Sequence, residues 1–233
     1  EASLFLLTQL LSDFLDVEKA IAPEVAAAYL PLIDYSINRT EEPLFRARGY
    51  LIAGILVQSI PDVALGLLDR TIKGVNDDEA EVVKVSCIKS LQGFINARTV
   101  PADRQVPIVA CISEYLYAKD LTDLEDADDL LLTLVETLRA AITMDPRITI
   151  TGDSGALDLL FVLAKHGAAT FQLTMLVSET FEEIVTSLSS GDSYTALCAK
   201  VLPSLTGAFD VGNMTGDDPL VEVGSTARCH NSC

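Results

Sequence analysis

Tryptophan is absent from this chain of 233 residues, and aromatic residues make up only 6% of it. The core must then be built from Leu, Ala, Val and Ile, as suits stacked helices. Histidine occurs only at positions 166 and 230, which leaves little imidazole for acid–base chemistry. Basic residues are scarce: 16 Lys and Arg stand against 34 Asp and Glu, a net charge of −18. That balance disfavours nucleic acid or an anionic membrane as a direct partner and favours a basic protein, although acidity is also a common solubility device. The excess is uneven, −5 over residues 1–119 and −13 over residues 120–233. The longest apolar runs, such as Tyr50 to Val57, fall far short of the roughly 18 residues that span a bilayer. No signal peptide is visible, and the chain starts inside an expected helix, so it reads as an excised fragment. The five cysteines have no framework spacing, which points to a reducing compartment. Cys87, Cys111 and Cys198 lie in apolar helical segments and are expected to be buried.

What the chain does have is a repeat. With 49% hydrophobic residues it can build a continuous core. About every forty residues an amphipathic segment, a short polar break and a second amphipathic segment recur. Pairing each first helix with the second gives residues 2–14 with 23–37, 42–58 with 61–75, 79–97 with 104–118, 127–143 with 155–166, and 171–187 with 193–209. Pro31 and Pro203 are expected to bend the helices that contain them. Thr40 is expected to cap the helix opened by Pro43, and Asp78 with Glu81 resembles a capping box. Ala47, Val85, Thr133 and Thr174 are read as equivalent positions, spaced by 38, 48 and 41 residues. Several segments are apolar over more than one face, which a lone hairpin cannot bury but a stack can. The expected fold is all-α, a HEAT-repeat α-α superhelix (solenoid) of about five helix pairs over residues 1–210. Residues 211–233 read as the frayed start of a further repeat or a non-native tail.

Such arrays present surfaces rather than pockets, and enzyme motifs are missing. There is no phosphate loop, no nucleophile elbow and no paired-histidine zinc helix. The expectation is a non-enzymatic binding protein without cofactor or metal. His166, before Gly167, suits a helix C-terminus. Cys229, His230 and Cys233 supply three possible zinc ligands but no fourth. The strongest candidate surface is acidic. Asp120, Asp123, Glu125, Asp126, Asp128 and Asp129 place six carboxylates in ten residues, with no cation between them. They form either a solvated loop that favours the next helix N-terminus or an electrostatic contact for Lys/Arg-rich cargo. Asp123, Glu125, Asp126, Asp128 and Asp129 are the candidate cargo contacts.

Four segments carry a family resemblance. Pro43-Leu44-Phe45-Arg46-Ala47-Arg48-Gly49-Tyr50-Leu51-Ile52-Ala53 resembles a helix of an importin-β-type karyopherin repeat, and Glu81-Val82-Val83-Lys84-Val85-Ser86-Cys87-Ile88-Lys89-Ser90-Leu91 resembles the corresponding helix of the next. Leu131-Leu132-Thr133-Leu134-Val135-Glu136-Thr137-Leu138, with Asp145-Pro146 after it, is similar to a segment of the importin-nine group, as is Glu1-Ala2-Ser3-Leu4. The resemblance covers roughly residues 1–210 and implies the central part of a HEAT-repeat nuclear import receptor. It implies basic nuclear proteins such as histones as cargo, with Ran GTPase and nucleoporins as partners of the full-length protein. It also implies shuttling between cytoplasm and nucleus. The alternative within the same architecture is a generic HEAT scaffold or regulatory subunit of another complex.

Overall fold

The computed structural model describes residues 2–18, 21–78, 80–125, 130–151, 154–167 and 170–208. Every expected helical segment is helical over these residues, and no strand occurs among them. The fold is therefore all-α. It divides into two units, Glu1–Met144 and Asp145–Cys233. The first contains α1 (Ala2–Glu18), α2 (Pro23–Ala28), α3 (Leu30–Ile37), α4 (Pro43–Leu56), a 3-10 turn (Val57–Ser59), α5 (Pro61–Asp77), α6 (Glu81–Asn96), α7 (Ala102–Tyr117), α8 (Leu121–Glu125) and α9 (Leu130–Thr143). The second contains α10 (Ile148–Thr151), α11 (Ala156–His166), α12 (Phe171–Thr186) and α13 (Gly191–Ala208). The tail expected over residues 211–233 lies outside the described residues.

Prolines open helices here. Pro23, Pro43 and Pro61 stand in the first turns of α2, α4 and α5, where a missing N–H costs little. The break expected at Pro31 falls instead at Tyr29, with Pro31 in the first turn of α3. Pro203 does not interrupt α13, and Pro107 lies inside α7. Two expected caps are not formed. The residues preceding α4 and α6 are Glu42 and Ala80, neither of which caps by its side chain. Asp78 turns back on its own backbone, accepting the Ala80 N–H at 2.9 Å, and pairs with Arg46.

The helices pair one step out of the expected frame. Dense packing joins α3 to α4, α5 to α6, α7 to α9 and, in the second unit, α11 to α12. The second helix of each expected pair thus forms its hairpin with the first helix of the next. Within the first unit, α1, α4, α6 and α9 make one row and α5 packs on α7 in another. Turns of three to five residues separate α3–α4, α5–α6 and α6–α7 alike, so turn length does not reveal the phase.

Glycines set the closest approaches. A Cβ on Gly49 would stand 2.8 Å from the Ser36 Cβ, so this residue seats α4 on α3. Five residues on, Gly54 faces α6, where a Cβ on Gly93 would lie 2.1 Å from the Gly54 oxygen. Ser90 completes the crossing by donating its hydroxyl to the Tyr50 carbonyl at 2.7 Å. The α4–α6 offset is therefore 39 to 40 residues rather than 38. One residue turns a helix by about 100°, so the equivalence fails: Ala47 is buried whereas Val85 is half-exposed. Thr133 is half-exposed and Thr174 exposed.

The other row is tied by charge. Arg70 on α5 reaches Asp34 on α3 at 2.8 Å and Asn38 at 3.0 Å. Arg104 on α7 reaches Asp69 on α5 at 2.7 Å. Buried Gln105 donates to the Ala141 carbonyl at 2.8 Å and so satisfies the last turn of α9. Beneath these contacts Cys87, Ile88, Leu91 and Phe94 of α6 are fully buried. Side chains of this kind contribute about 1.5–3 kcal/mol each by leaving water.

In the second unit Leu157, Leu159, Leu160 and Leu163 of α11 face inward. Phe161 meets Phe181 of α12 with ring centroids 5.1 Å apart. Ser190 accepts the Ser193 N–H at 3.2 Å and caps α13. Here one expectation fails: Cys198 is exposed, not buried. The long α13 packs on α10, a single turn, which leaves most of its described surface open.

Candidate functional site

The acidic stretch begins where α7 ends. Lys119, the last cation before it, is fully engaged: its ammonium lies 2.7 Å from Glu81 and 5.3 Å from the Tyr115 ring centroid. Tyr115 also donates its hydroxyl to Glu81. Burial pushes the Glu81 carboxyl up, but the hydrogen bonds from Lys119 and Tyr115 outweigh it and hold the group below its ordinary range. Burial, then the Glu81 carboxylate, push the Tyr115 phenol up. Lys119 is thus paired with an acid outside the stretch.

Asp120 accepts the Thr122 N–H at 2.9 Å and caps α8, which replaces the expected loop over Leu121–Glu125. Leu124 is buried and fastens this turn to α9. The cap and the anchoring leucine hold Asp123 exposed on a fixed helical turn. Glu125 ends the same helix. Asp126, Asp128 and Asp129 lie outside the described residues. The structure thus places the first candidate acids on an anchored turn at one edge of the α7–α9 hairpin.

A second feature was not visible in the sequence. Where the α3–α4 turn meets the α5–α6 turn, a cleft of about 690 Å³ opens, lined by Arg46, Tyr50, Arg70, Lys73, Asp77 and Asp78. Arg46 is largely covered and paired with Asp78, whose side chain is 4% exposed. Lys73 pairs with Asp77 at 2.5 Å at the rim. Burial first, then the neighbouring Cys87, push the Tyr50 phenol up to about 12. The Asp-Arg dipeptide recurs at positions 69–70 and 103–104, and of these residues Arg70 lines the cleft. Its recurrence at 34 residues marks the α5–α7 row and hence the frame of the hairpins.

His166 closes α11 together with Lys165, as its position suggested. Among the described residues no group of three or more His, Cys, Asp and Glu is arranged to hold a metal ion. Cys229, His230 and Cys233 lie outside them. No described helix is long and apolar enough to cross a membrane.

The family model described as importin-9 central HEAT repeats matches residues 1–168. No curated protein and no solved structure matches the chain.

Proposed function

Because this chain belongs to the importin-9 central HEAT-repeat family, we propose that it is the central part of a nuclear transport receptor that carries basic protein cargo. The observation that carries this reading is the family match, which covers the α4–α6–α9 row and the acidic turn at α8. Cargo in this proposal is a Lys/Arg-rich nuclear protein such as a histone. Charge supports it: Asp120–Asp129 holds six carboxylates, and Lys119 is already committed to Glu81. In the full-length protein, Ran in its GTP form releases the cargo, nucleoporins are the route through the pore, and the receptor shuttles between cytoplasm and nucleus. The array acts by holding a surface, not by catalysis.

Two measurements test this. Pull-down of the full-length protein from extract, with and without RanGTP, should show basic nuclear proteins retained in its absence and released in its presence. Retention indifferent to RanGTP favours a generic HEAT scaffold instead. In the second, Asp123, Glu125, Asp126, Asp128 and Asp129 are replaced together by Asn or Gln in the full-length receptor. Affinity for a histone dimer should fall and its salt dependence flatten. Exposed pairs contribute about 0–1 kcal/mol each, so only the combined variant is informative. Equal affinities of wild type and variant at two salt concentrations would reduce the stretch to a solvated linker.

A further inference from the structure

We propose that the cleft between the α3–α4 and α5–α6 turns is an oxyanion site that takes the phosphate of a phosphorylated serine or threonine on a protein partner. The chain has 18 more acidic than basic residues, yet three cations, Arg46, Arg70 and Lys73, converge on this one concavity. The exchangeable guanidinium is that of Arg70, whose planar fork matches phosphate oxygens in pairs, while Arg46 is held by Asp78. Gly74 shapes the floor. A Cβ there would stand 3.1 Å from the Tyr50 hydroxyl oxygen and 2.6 Å from the Cys87 sulfur, so only glycine lets the phenol lie flat against α5. That phenol remains protonated through the physiological range and keeps an O–H to donate.

The resident carboxylates decide which anion fits. Asp34 and Asp77 are 63% and 59% exposed, so their pairs with Arg70 and Lys73 are weak and exchangeable. The Arg46–Asp78 pair is covered and remains as a fixed wall. A partner carboxylate would only replace one exposed carboxylate by another. A phosphate monoester brings close to two charges and three acceptor oxygens, and so gains where a carboxylate breaks even. The cleft is larger than a single tetrahedral anion, which leaves room for the residue that carries it. This inference does not rest on the transport reading, and its test uses this chain alone.

The experiment is a titration followed by amide and arginine side-chain NMR signals, with O-phosphoserine, inorganic phosphate, acetate and sodium chloride at matched ionic strength. Signals of Arg46, Arg70 and Gly74 should shift saturably with both phosphates, and at least about tenfold more weakly with acetate. The paired variant R70Q/K73Q should lose about tenfold or more in affinity with its helical circular dichroism unchanged, while R104Q, which removes an arginine outside the cleft, should bind as the parent does. A Gly-Gly-phosphoserine-Gly-Gly peptide should bind more tightly than inorganic phosphate, and its unphosphorylated counterpart should not bind. Shifts of the same size in sodium chloride, or full binding by R70Q/K73Q, would overturn the site. Inorganic phosphate binding as tightly as the phosphopeptide would overturn the partner and assign the cleft to a free anion.

Discussion

The α4–α6 crossing can be tested by adding one methyl group in two places. A Cβ on Gly93 would lie 2.1 Å from the Gly54 oxygen and 2.7 Å from its carbonyl carbon, both backbone atoms that cannot rotate aside. On Gly66 of α5 the same Cβ meets nothing within 4 Å. In an open helical position Gly→Ala stabilises by roughly 0.5–1 kcal/mol, because alanine has less backbone entropy to lose. That gain is the whole expected effect of Gly66→Ala. Gly93→Ala receives the same gain but must push α4 and α6 apart, which loosens the Ser90–Tyr50 hydrogen bond and uncovers fully buried Phe94 and Ile52. Overpacking of this kind costs about 1–3 kcal/mol and more where backbone is the obstacle, so the two substitutions should differ in stability by about 2–4 kcal/mol and in sign. Urea unfolding followed by helical circular dichroism reads this directly. Gly66→Ala should move the midpoint up and Gly93→Ala down, by about 1 M or more for the latter at the slopes usual for such domains. The double variant Gly54→Ala/Gly93→Ala should lose less than the sum of its parts, since the first methyl already separates the helices. Equal midpoints for Gly66→Ala and Gly93→Ala would refute the close crossing.

Native thiol labelling should modify Cys198 promptly and spare Cys87 and Cys111 until unfolding; burial pushes both buried thiols up, Cys111 to about 12, which leaves little thiolate to react. Glu81 is held below its ordinary value of 4.5, so its contribution to stability is complete above that pH and is lost as pH falls through the depressed value. Glu81→Gln should therefore flatten the acid limb of the stability profile by less than about 1 kcal/mol, because the group is half-exposed; an unchanged limb would refute the Lys119–Tyr115 assignment. Tyr50 keeps its proton in the folded state up to about pH 12, so its contribution should persist below the unfolded tyrosine value and fade as pH rises through 12, which absorbance at 295 nm would report as one late phenol missing in Tyr50→Phe. Arg70→Ala and Arg104→Ala should each cost only a little stability and lose that cost at high salt, as exposed pairs do; a salt-independent loss would mean their stems, not their charges, hold the α3–α5–α7 row.

Helix positions were legible in the sequence because apolar periodicity and opening prolines act within one helix. The stripe Leu131, Leu134, Val135, Leu138 and Ile142 is buried as its spacing requires. Pairing was not legible in the same way. It depends on which side of each helix carries the small residues, and Gly49 and Gly54 sit only five positions apart on opposite contacts of α4. Composition also misled at Cys198: an apolar neighbourhood along the chain buries a residue only if another helix covers it, and α13 has a single-turn partner in α10. The caps failed for a related reason. Asp78 has a stronger long-range partner in Arg46, 32 positions earlier, than any helix N-terminus nearby could provide. The acidic turn was readable as a run of charge, but its anchoring by Asp120 and Leu124 was not, since both act through structure that the run itself lacks.

Net charge is a poor guide to where a partner sits unless the pairing of each ion is known. In the first unit Arg39, Arg46, Arg70, Lys73, Arg104 and Lys119 all hold carboxylates of the same chain. These pairs neutralise the turns and the α3–α5–α7 row, so much of the acid there exerts little field at a distance. The stretch after Lys119 differs, because its cation is withdrawn to Glu81 and it contains none of its own. Under the proposed function an approaching basic protein would be steered to the α8 edge, where attraction would survive over about a Debye length, roughly 8 Å at physiological salt. The cleft beside α4 obeys the opposite rule. Its cations are compensated at rest and become available only to an anion of higher charge than the carboxylates they hold. Under the two proposed roles the chain would carry an edge that acts on encounter and a cleft that acts on exchange, and only the first is announced by a charge of −18.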